Sequence, residues 1–339
     1  MKYNIIHKMR SGVMMLLTLF TLHFSLFTFS SCSDMIETDS TMQAFDYELD
    51  EKTDSIFFAF GILQAMQQVA DQYVFQGEMR GELVSTTDYT LNSLRQLQNF
   101  SATTENAYDS AYVYYRVINN CNYYIAHRDT TLITGSTKVV MNEYAAVKAI
   151  RAWAYLQLAR NYGSVPFFTE PLTTISQINN SKYPQLDING IVNALAPDLE
   201  QYSGRPVPNY GTSVAIGTTN FGQAKNMSTP LCFIPVDVIL GELYLEVGNY
   251  AKAATYLTNY LCKADEKAYS MGATINQNYW TQHDNLIQPS DWGGSMAYNN
   301  TYGSIFSNNS VLDIISYIPM SVNRTRGTVT KVPEAFGYN

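Results

Sequence analysis

The stretch from Val238 to Leu257 constrains the fold more than any other. Leu240, Leu243, Tyr244 and Val247 recur at three- and four-residue steps, which is one apolar face of a helix. Gly248-Asn249 then breaks the pattern, and Tyr250, Ala253, Ala254 and Leu257 repeat it. Two amphipathic helices joined by so short a turn must lie antiparallel, and the small residues Gly241, Ala253 and Ala254 let them approach closely. One such pair cannot bury both its faces, so the chain must supply further helices beside it.

Those helices are legible, and with them the hairpin reads as a tetratricopeptide-like unit. Residues 55 to 74 carry Phe58, Ile62, Ala65, Met66 and Val69 on one stripe. Residues 104 to 127 carry Tyr108, Ala111, Tyr115 and Ile118, and residues 140 to 161 carry Val147, Ile150, Ala154 and Leu158. Gly163 follows the third as a C-terminal stop, and Trp153 lies within it as a core residue. A fourth helix around 188 to 202 must start, kink or restart near Pro197. Val165 to Phe168 reads as extended, and residues 311 to 320 read as a strand. The expected fold class is mainly α: tetratricopeptide-like helical hairpins with long irregular loops and a few short strands.

The N-terminus speaks to location. Lys2, Lys8 and Arg10 precede an almost wholly apolar run from Val13 to Phe29, and Ser30-Ser31 lead into Cys32. This is an export signal ending at a cysteine, and it resembles the processing site of bacterial lipoproteins, with residues 1 to 31 removed and Cys32 lipidated. An uncleaved transmembrane anchor is the alternative, since about 18 apolar residues just span a bilayer. His23 inside the run and Cys32 at its end favour cleavage. Residues 33 to 54 set eight carboxylates, from Asp34 to Asp54, against Lys52, so residues 32 to 54 read as an acidic tether.

Cleavage would remove three basic residues and no acidic ones, leaving 18 Lys and Arg against 29 Asp and Glu, a net of −11. Nucleic acid is therefore not an expected partner. Only 15% of the chain is charged while it holds 26 tyrosines, a composition suited to neutral, hydroxyl-rich ligands or to filling a helical core. Beyond Cys32 the cysteines are Cys121, Cys232 and Cys262, an odd number without a CxxC pair, so neither a disulfide framework nor a zinc site is expected. Each reads as a small buried hydrophobe.

Two long stretches are neither helical nor strongly charged. Residues 203 to 229 hold four glycines with Arg205 and Lys225 as their charges. Residues 270 to 310 hold six aromatics and seven asparagines, with Asp284 and Asp291 as their charges. Loops of that length are commonly functional. Sugar rings present flat C–H faces, and an aromatic plane covering roughly 60 Å² of one contributes about 1.5 kcal/mol. Tyr279, Trp280, Asp284, Asn285, Asp291, Trp292 and Tyr298 combine such planes with hydrogen-bonding groups, so this loop is the first expected ligand surface. The same aromatics could instead pin the loop to the body of the protein. Tyr89 and the 203 to 229 loop come next.

Three blocks occur in a recognisable order: Gly77-Glu-Met-Arg-Gly-Glu-Leu83, Tyr114-Tyr-Arg-Val-Ile-Asn-Asn-Cys-Asn122, and Ala149-Ile-Arg-Ala-Trp-Ala-Tyr-Leu-Gln-Leu-Ala-Arg-Asn-Tyr-Gly-Ser-Val-Pro166. They resemble the SusD/RagB family of outer-membrane nutrient-binding lipoproteins, and the third is the most specific. The resemblance, with the signal and the hairpin, spans residues 1 to about 320. It implies a helical domain over 55 to 320, held on the cell surface at the outer membrane by lipid on Cys32. It also implies a partner, a TonB-dependent transporter of the SusC/RagA type, over which the lipoprotein sits as a lid. The ligands it implies are mostly glycans, with peptides in some members. Family members run further, so residues 321 to 339 are expected to begin an incomplete C-terminal region. A tetratricopeptide scaffold binding only protein is the alternative from a different class.

Catalysis has little support, and no cofactor is expected. The chain beyond the signal has His127 and His283, no HExxH and no Gly-rich phosphate loop. Glu78 and Glu82 flank Arg80 and might suggest paired carboxylates, but they read better as loop-fixing ion pairs. Asp284 and Asp291 fall short of a calcium loop, so no metal is expected.

Overall fold

The computed structural model describes residues 54–81, 84–132, 140–174, 177, 182–210, 213–218 and 224–270, with single positions at 316, 318, 320, 330–332 and 335. All belong to the unit that runs from Glu48 to Asn339. The helices are α1 (Asp54–Arg80), α2 (Asn92–Gln98), α3 (Ala111–His127), α4 (Val140–Tyr162), α5 (Ile188–Glu200), α6 (Val236–Glu246) and α7 (Tyr250–Ser270). Two small antiparallel sheets accompany them: β1 (Val165–Pro166) with β2 (Gln185–Leu186), and β3 (Ser213–Thr218) with β4 (Ala224–Ser228). The fold is mainly α, as the periodicity requires.

Helix α4 is the axis of the main core. It packs against α1, α3, α5 and α6, and its residues are buried almost without a break from Ala145 to Ala159. A helix enclosed on all sides cannot be amphipathic. Ala145, Ala146, Ala149, Ala152 and Ala154 supply helix propensity and let neighbours close in. Its polar side chains are buried too, and the largest are paired. Lys148 Nζ sits 2.7 and 2.8 Å from the two carboxylate oxygens of Asp198 on α5 and faces the rings of Tyr144 and Tyr202. Glu143 accepts from the hydroxyls of Tyr124 and Tyr210, with Arg128 Nε 3.7 Å away. Burial first, and the Glu143 charge next, push both tyrosines far above the ordinary phenol range, which keeps them protonated donors.

The second and third family-like blocks hold the backbone that follows α4. Tyr115, Asn119 and Asn122 share one stripe of α3 and bind the returning segment 166–172. Tyr115 donates to Pro166 O at 2.9 Å, Asn119 both donates to and accepts from Leu172 at 2.9 and 2.7 Å, and Asn122 reaches Phe168 O and Glu170 O. Tyr155 of α4 donates to Phe168 O at 2.6 Å and accepts its N–H at 3.0 Å. Arg151 holds Asn122 Oδ1 at 3.0 Å. A buried backbone that leaves a strand must find such partners.

The α6–α7 hairpin has the anticipated turn, with Gly248 at φ +71°. A Cβ at Gly241 would stand 2.5 Å from the Leu257 side chain, so only glycine allows this approach. Ala253 is buried in the interface, but Ala254 and Tyr250 are exposed, the latter at 71%. The expected stripe on α7 was thus too wide. Helix α3 begins at Ala111 rather than near 104, which leaves Tyr108 in a loop and makes Tyr114, Val117, Ile118, Cys121 and Tyr124 the buried set. Helix α1 runs on from Val74 to Arg80 because Phe75, Gln76 and Met79 continue its buried face. Pro197 lies inside α5 without ending it, and Asp187 caps that helix by accepting from Gly190 N. The 203 to 229 region is not all loop, since β3 and β4 form a hairpin with an irregularity between Ala215 and Gly217. Cys121 and Cys232 are buried.

A second, smaller core lies apart from the first. Phe75 and Met79 of α1, Leu94 and Leu97 of α2, and Val332 enclose one another, with Tyr108 and Ala335 packed alongside. The C-terminal contribution is pinned by Asp71, which accepts from Thr330 Oγ1 at 2.5 Å and Lys331 N at 2.9 Å. Residues 330–332 and Ala335 therefore add to the packing of α1 and α2.

Candidate ligand-binding site

The aromatic loop first expected to bind ligand, with Tyr279, Trp280, Asp284, Asn285, Asp291, Trp292 and Tyr298, lies outside the described residues, as does Cys32. Among the described residues the exposed aromatics are Tyr73, Tyr89, Phe100, Tyr112 and Tyr250, and the two most exposed lie on the loop between α1 and α3. Tyr89 is 97% exposed and Phe100 74%, with Leu91 at 60% between them. Helix α2 separates Leu91 from Phe100, roughly 13 Å along its axis.

Phe100 sits in a conformation that its side chain disfavours. Its φ is +52°, the one positive value found at a non-glycine among the described residues. It ends α2 in a Schellman arrangement, with Phe100 N bonded to Leu97 O at 3.2 Å and Ser101 N to Gln96 O at 2.9 Å. Glycine is the usual residue there, and an L side chain in that region costs about 1–2 kcal/mol. The strain delivers an aromatic ring to solvent with the Arg80 guanidinium 5.9 Å from its centroid. Strain of this kind is found where geometry serves a function.

Tyr89 is held from below. Thr86 Oγ1 donates to Gln98 Oε1 at 2.6 Å, Thr87 N donates to Thr90 Oγ1 at 2.8 Å, and Arg95 donates to the carbonyls of Thr87 and Asp88. The other arm of the loop is fixed by Asn106, which donates to Ser93 O at 2.9 Å and Gln96 Oε1 at 2.8 Å. Where the loop rejoins the body, Gln72 exchanges hydrogen bonds with the Ser110 backbone and Gln76 donates to Asp109 Oδ1 at 2.7 Å. Arg80 adds Asn161 Oδ1 at 2.8 Å and Asp109 at 3.8 Å. Burial pushes Tyr162, which accepts from Gln76, above the ordinary phenol range, so it stays neutral within this network. Two solvent-facing aromatic rings on a hydrogen-bonded loop, with Leu91 between them in sequence, can stack on sugar faces or on other flat apolar groups. Of the carboxylates weighed for catalysis, Glu82 lies outside the described residues, and Arg80, between the two in sequence, pairs with Asp109.

Sequence reasoning ranked Tyr89 second and missed Phe100. The available signal was an aromatic at the stop of the short helix Asn92–Gln98, where a glycine would be ordinary.

No family model matches the chain, and no curated protein matches it either. Solved structures do. One is a laminarin binding SusD-like protein, 18% identical, with 62% of this chain and 43% of that one covered at a TM-score of 0.43. A SusD-like carbohydrate binding protein from Bacteroides fragilis NCTC 9343 is 12% identical, covering 62% and 40% at 0.40. Another SusD-like protein from the same strain is 12% identical, covering 61% and 37% at 0.37. All three carry the description of the family that the sequence blocks resemble. The chain aligns with less than half the length of each. No described helix is long and apolar enough to cross a membrane.

Proposed function

We propose that this chain is a non-catalytic, glycan-binding lipoprotein of the SusD type. Lipid on Cys32 holds it at the outer cell surface, where it passes ligand to a TonB-dependent transporter of the SusC/RagA type. Phe100 carries the binding part of this reading: it is 74% exposed at a φ of +52°, where glycine is the usual residue, on the same loop as Tyr89. The export signal ending at Cys32 supports the anchoring, and the three family-like blocks support the partner. Trp280 and Trp292 would add further stacking planes.

Calorimetry with a panel of neutral oligosaccharides, laminarin fragments included, tests the binding. Tyr89→Ala should weaken affinity by about 1–2 kcal/mol, five- to thirtyfold, with the melting temperature held. Unchanged affinity in Tyr89→Ala and Phe100→Ala alike would remove this loop from the site. Anchoring is tested separately, by metabolic labelling with an alkyne fatty acid. Wild type should be labelled and Cys32→Ser should not, while a labelled Cys32→Ser protein would sink the lipoprotein assignment.

A further inference from the structure

Each of the two most exposed rings has an arginine beside it whose charge the protein leaves partly unanswered. At Phe100 this is Arg80, with its guanidinium carbon 5.9 Å from the ring centroid and its side chain 22% exposed. Its one hydrogen bond among the described residues runs from Nη1 to Asn161 Oδ1 at 2.8 Å. Nη2 stands 3.8 Å from Asp109 Oδ2, too far for a hydrogen bond, and is open to solvent, while Nε is enclosed without a partner. Asp109 is itself engaged, since its Oδ1 accepts from Gln76 at 2.7 Å.

At Tyr89 the arginine is Arg95. Among the described residues it hydrogen-bonds through Nη2 alone, to the carbonyls of Thr87 at 3.0 Å and of Asp88, the second belonging to the peptide unit that carries Tyr89. Both acceptors are neutral, and Arg95 forms no ion pair among the described residues. Its Nη1 and Nε are neither hydrogen-bonded there nor enclosed, so they too are open to solvent. A guanidinium with free donors finds its strongest hydrogen bonds at an anionic oxygen.

We propose that this site takes an acidic glycan, one whose sugars carry uronate carboxylates; the proposal rests on the reading that Tyr89 and Phe100 bind glycan. The sugar faces would stack on the two aromatics, and the carboxylates would accept charge-assisted hydrogen bonds from Arg80 Nη2 and from Nη1 or Nε of Arg95. A neutral chain would stack on the same rings and bind more weakly. Asp88 and Glu105 are the exposed carboxylates of the same loop, and water screens them. The net negative charge of the whole chain acts over only about 8 Å at physiological salt, so the two cations beside the rings set the preference.

The test is calorimetry of the full mature chain with hexamers of galacturonate and of mannuronate, each beside its methyl ester, and with a neutral laminarin hexamer. An acid and its ester share backbone and stereochemistry and differ in charge. The better-bound acid should exceed its own ester by about tenfold, since two partly exposed ion pairs contribute roughly threefold each. Raising salt from about 0.05 to about 0.5 M should erase most of that margin and leave the ester unmoved. Arg80→Gln and Arg95→Gln should each cut the acid-to-ester ratio about threefold, and Arg80→Lys and Arg95→Lys should restore part of it. The ratio decides, because an arginine with only a structural role would lower acid and ester alike. Equal binding of acid and ester, or a ratio that survives both glutamine variants, would overturn the proposal and leave the glycan reading in place. If no chain binds, charged or neutral, the glycan reading falls and this proposal with it.

Discussion

The two cores of this protein are built on opposite plans. The main core closes around α4, whose neighbours α1, α3, α5 and α6 each bury it from a different side, and dozens of buried side chains share the load. The small core has five buried members, Phe75, Met79, Leu94, Leu97 and Val332, and one comes from far along the chain. The first core sets whether the chain folds. The second supports the loop that carries Tyr89 and Phe100, so it bears on what the chain can hold.

That contrast yields the largest expected effects. Leu156 is fully buried on α4, and Leu156→Ala removes its contacts and leaves a cavity, a cost of about 2–5 kcal/mol. The melting temperature should fall by roughly 5 to 10 °C, while oligosaccharide affinity at 25 °C stays put. Val332→Asp should do the reverse. It places a charge in the small core, so hydrogen exchange over residues 84–108 should speed up and oligosaccharide affinity should fall, with a smaller change in melting temperature. If Val332→Asp lowers the melting temperature as far as Leu156→Ala and leaves affinity intact, the two cores are one cooperative body.

The same division explains what the sequence disclosed. The small residue Gly241 announced the close contact of α6 with α7, and helical stripes were legible where burial follows local periodicity, as in α1. The α3 boundary was not, because residues 104–110 are captured by distant partners. Gln72 takes the Ser110 backbone, Asn106 reaches back to Ser93 and Gln96, and Tyr108 packs on Phe75 at 4.7 Å. Periodicity carries no record of such tertiary bonds. The contribution of Val332 was hidden for the same reason, as was the backbone-clamping role of Asn119 and Asn122. Phe100 was missed because an isolated aromatic says nothing of its φ until the helix end beside it is known.

Phe100 separates stability from binding on a finer scale. Phe100→Gly relieves the strain at φ +52° but restores backbone freedom to the unfolded chain and gives up the contact with Arg80. These terms nearly cancel, so the melting temperature should hold or rise by a degree or two. Affinity for oligosaccharides should still fall about five- to thirtyfold. A large drop in melting temperature would instead make Phe100 an anchor of α2. The ring would then belong to the small core and not to the ligand.

The smallest expected effect lies at the edge of the main core, where Glu200 of α5 ties α6 to α7. It accepts from Lys252 Nζ at 2.7 Å, Tyr244 at 2.6 Å and Tyr256 at 3.0 Å, and Tyr244 stacks on Tyr256 at 5.9 Å. The Lys252 ammonium first, and then the Tyr244 hydroxyl, hold the Glu200 carboxyl below the usual carboxylate range. A carboxyl whose folded pKa is depressed adds stability above its unfolded pKa and loses it as pH falls through the folded value. Wild type should therefore melt about a degree above Glu200→Gln at pH 7, because pairs this open to solvent contribute little. The gap should close on acidification below the ordinary carboxylate range. Should it persist unchanged at pH 3, the stabilisation does not depend on the Glu200 charge, and the hydrogen bonds that Glu200 accepts from the Tyr244 and Tyr256 hydroxyls are what join the hairpin to α5.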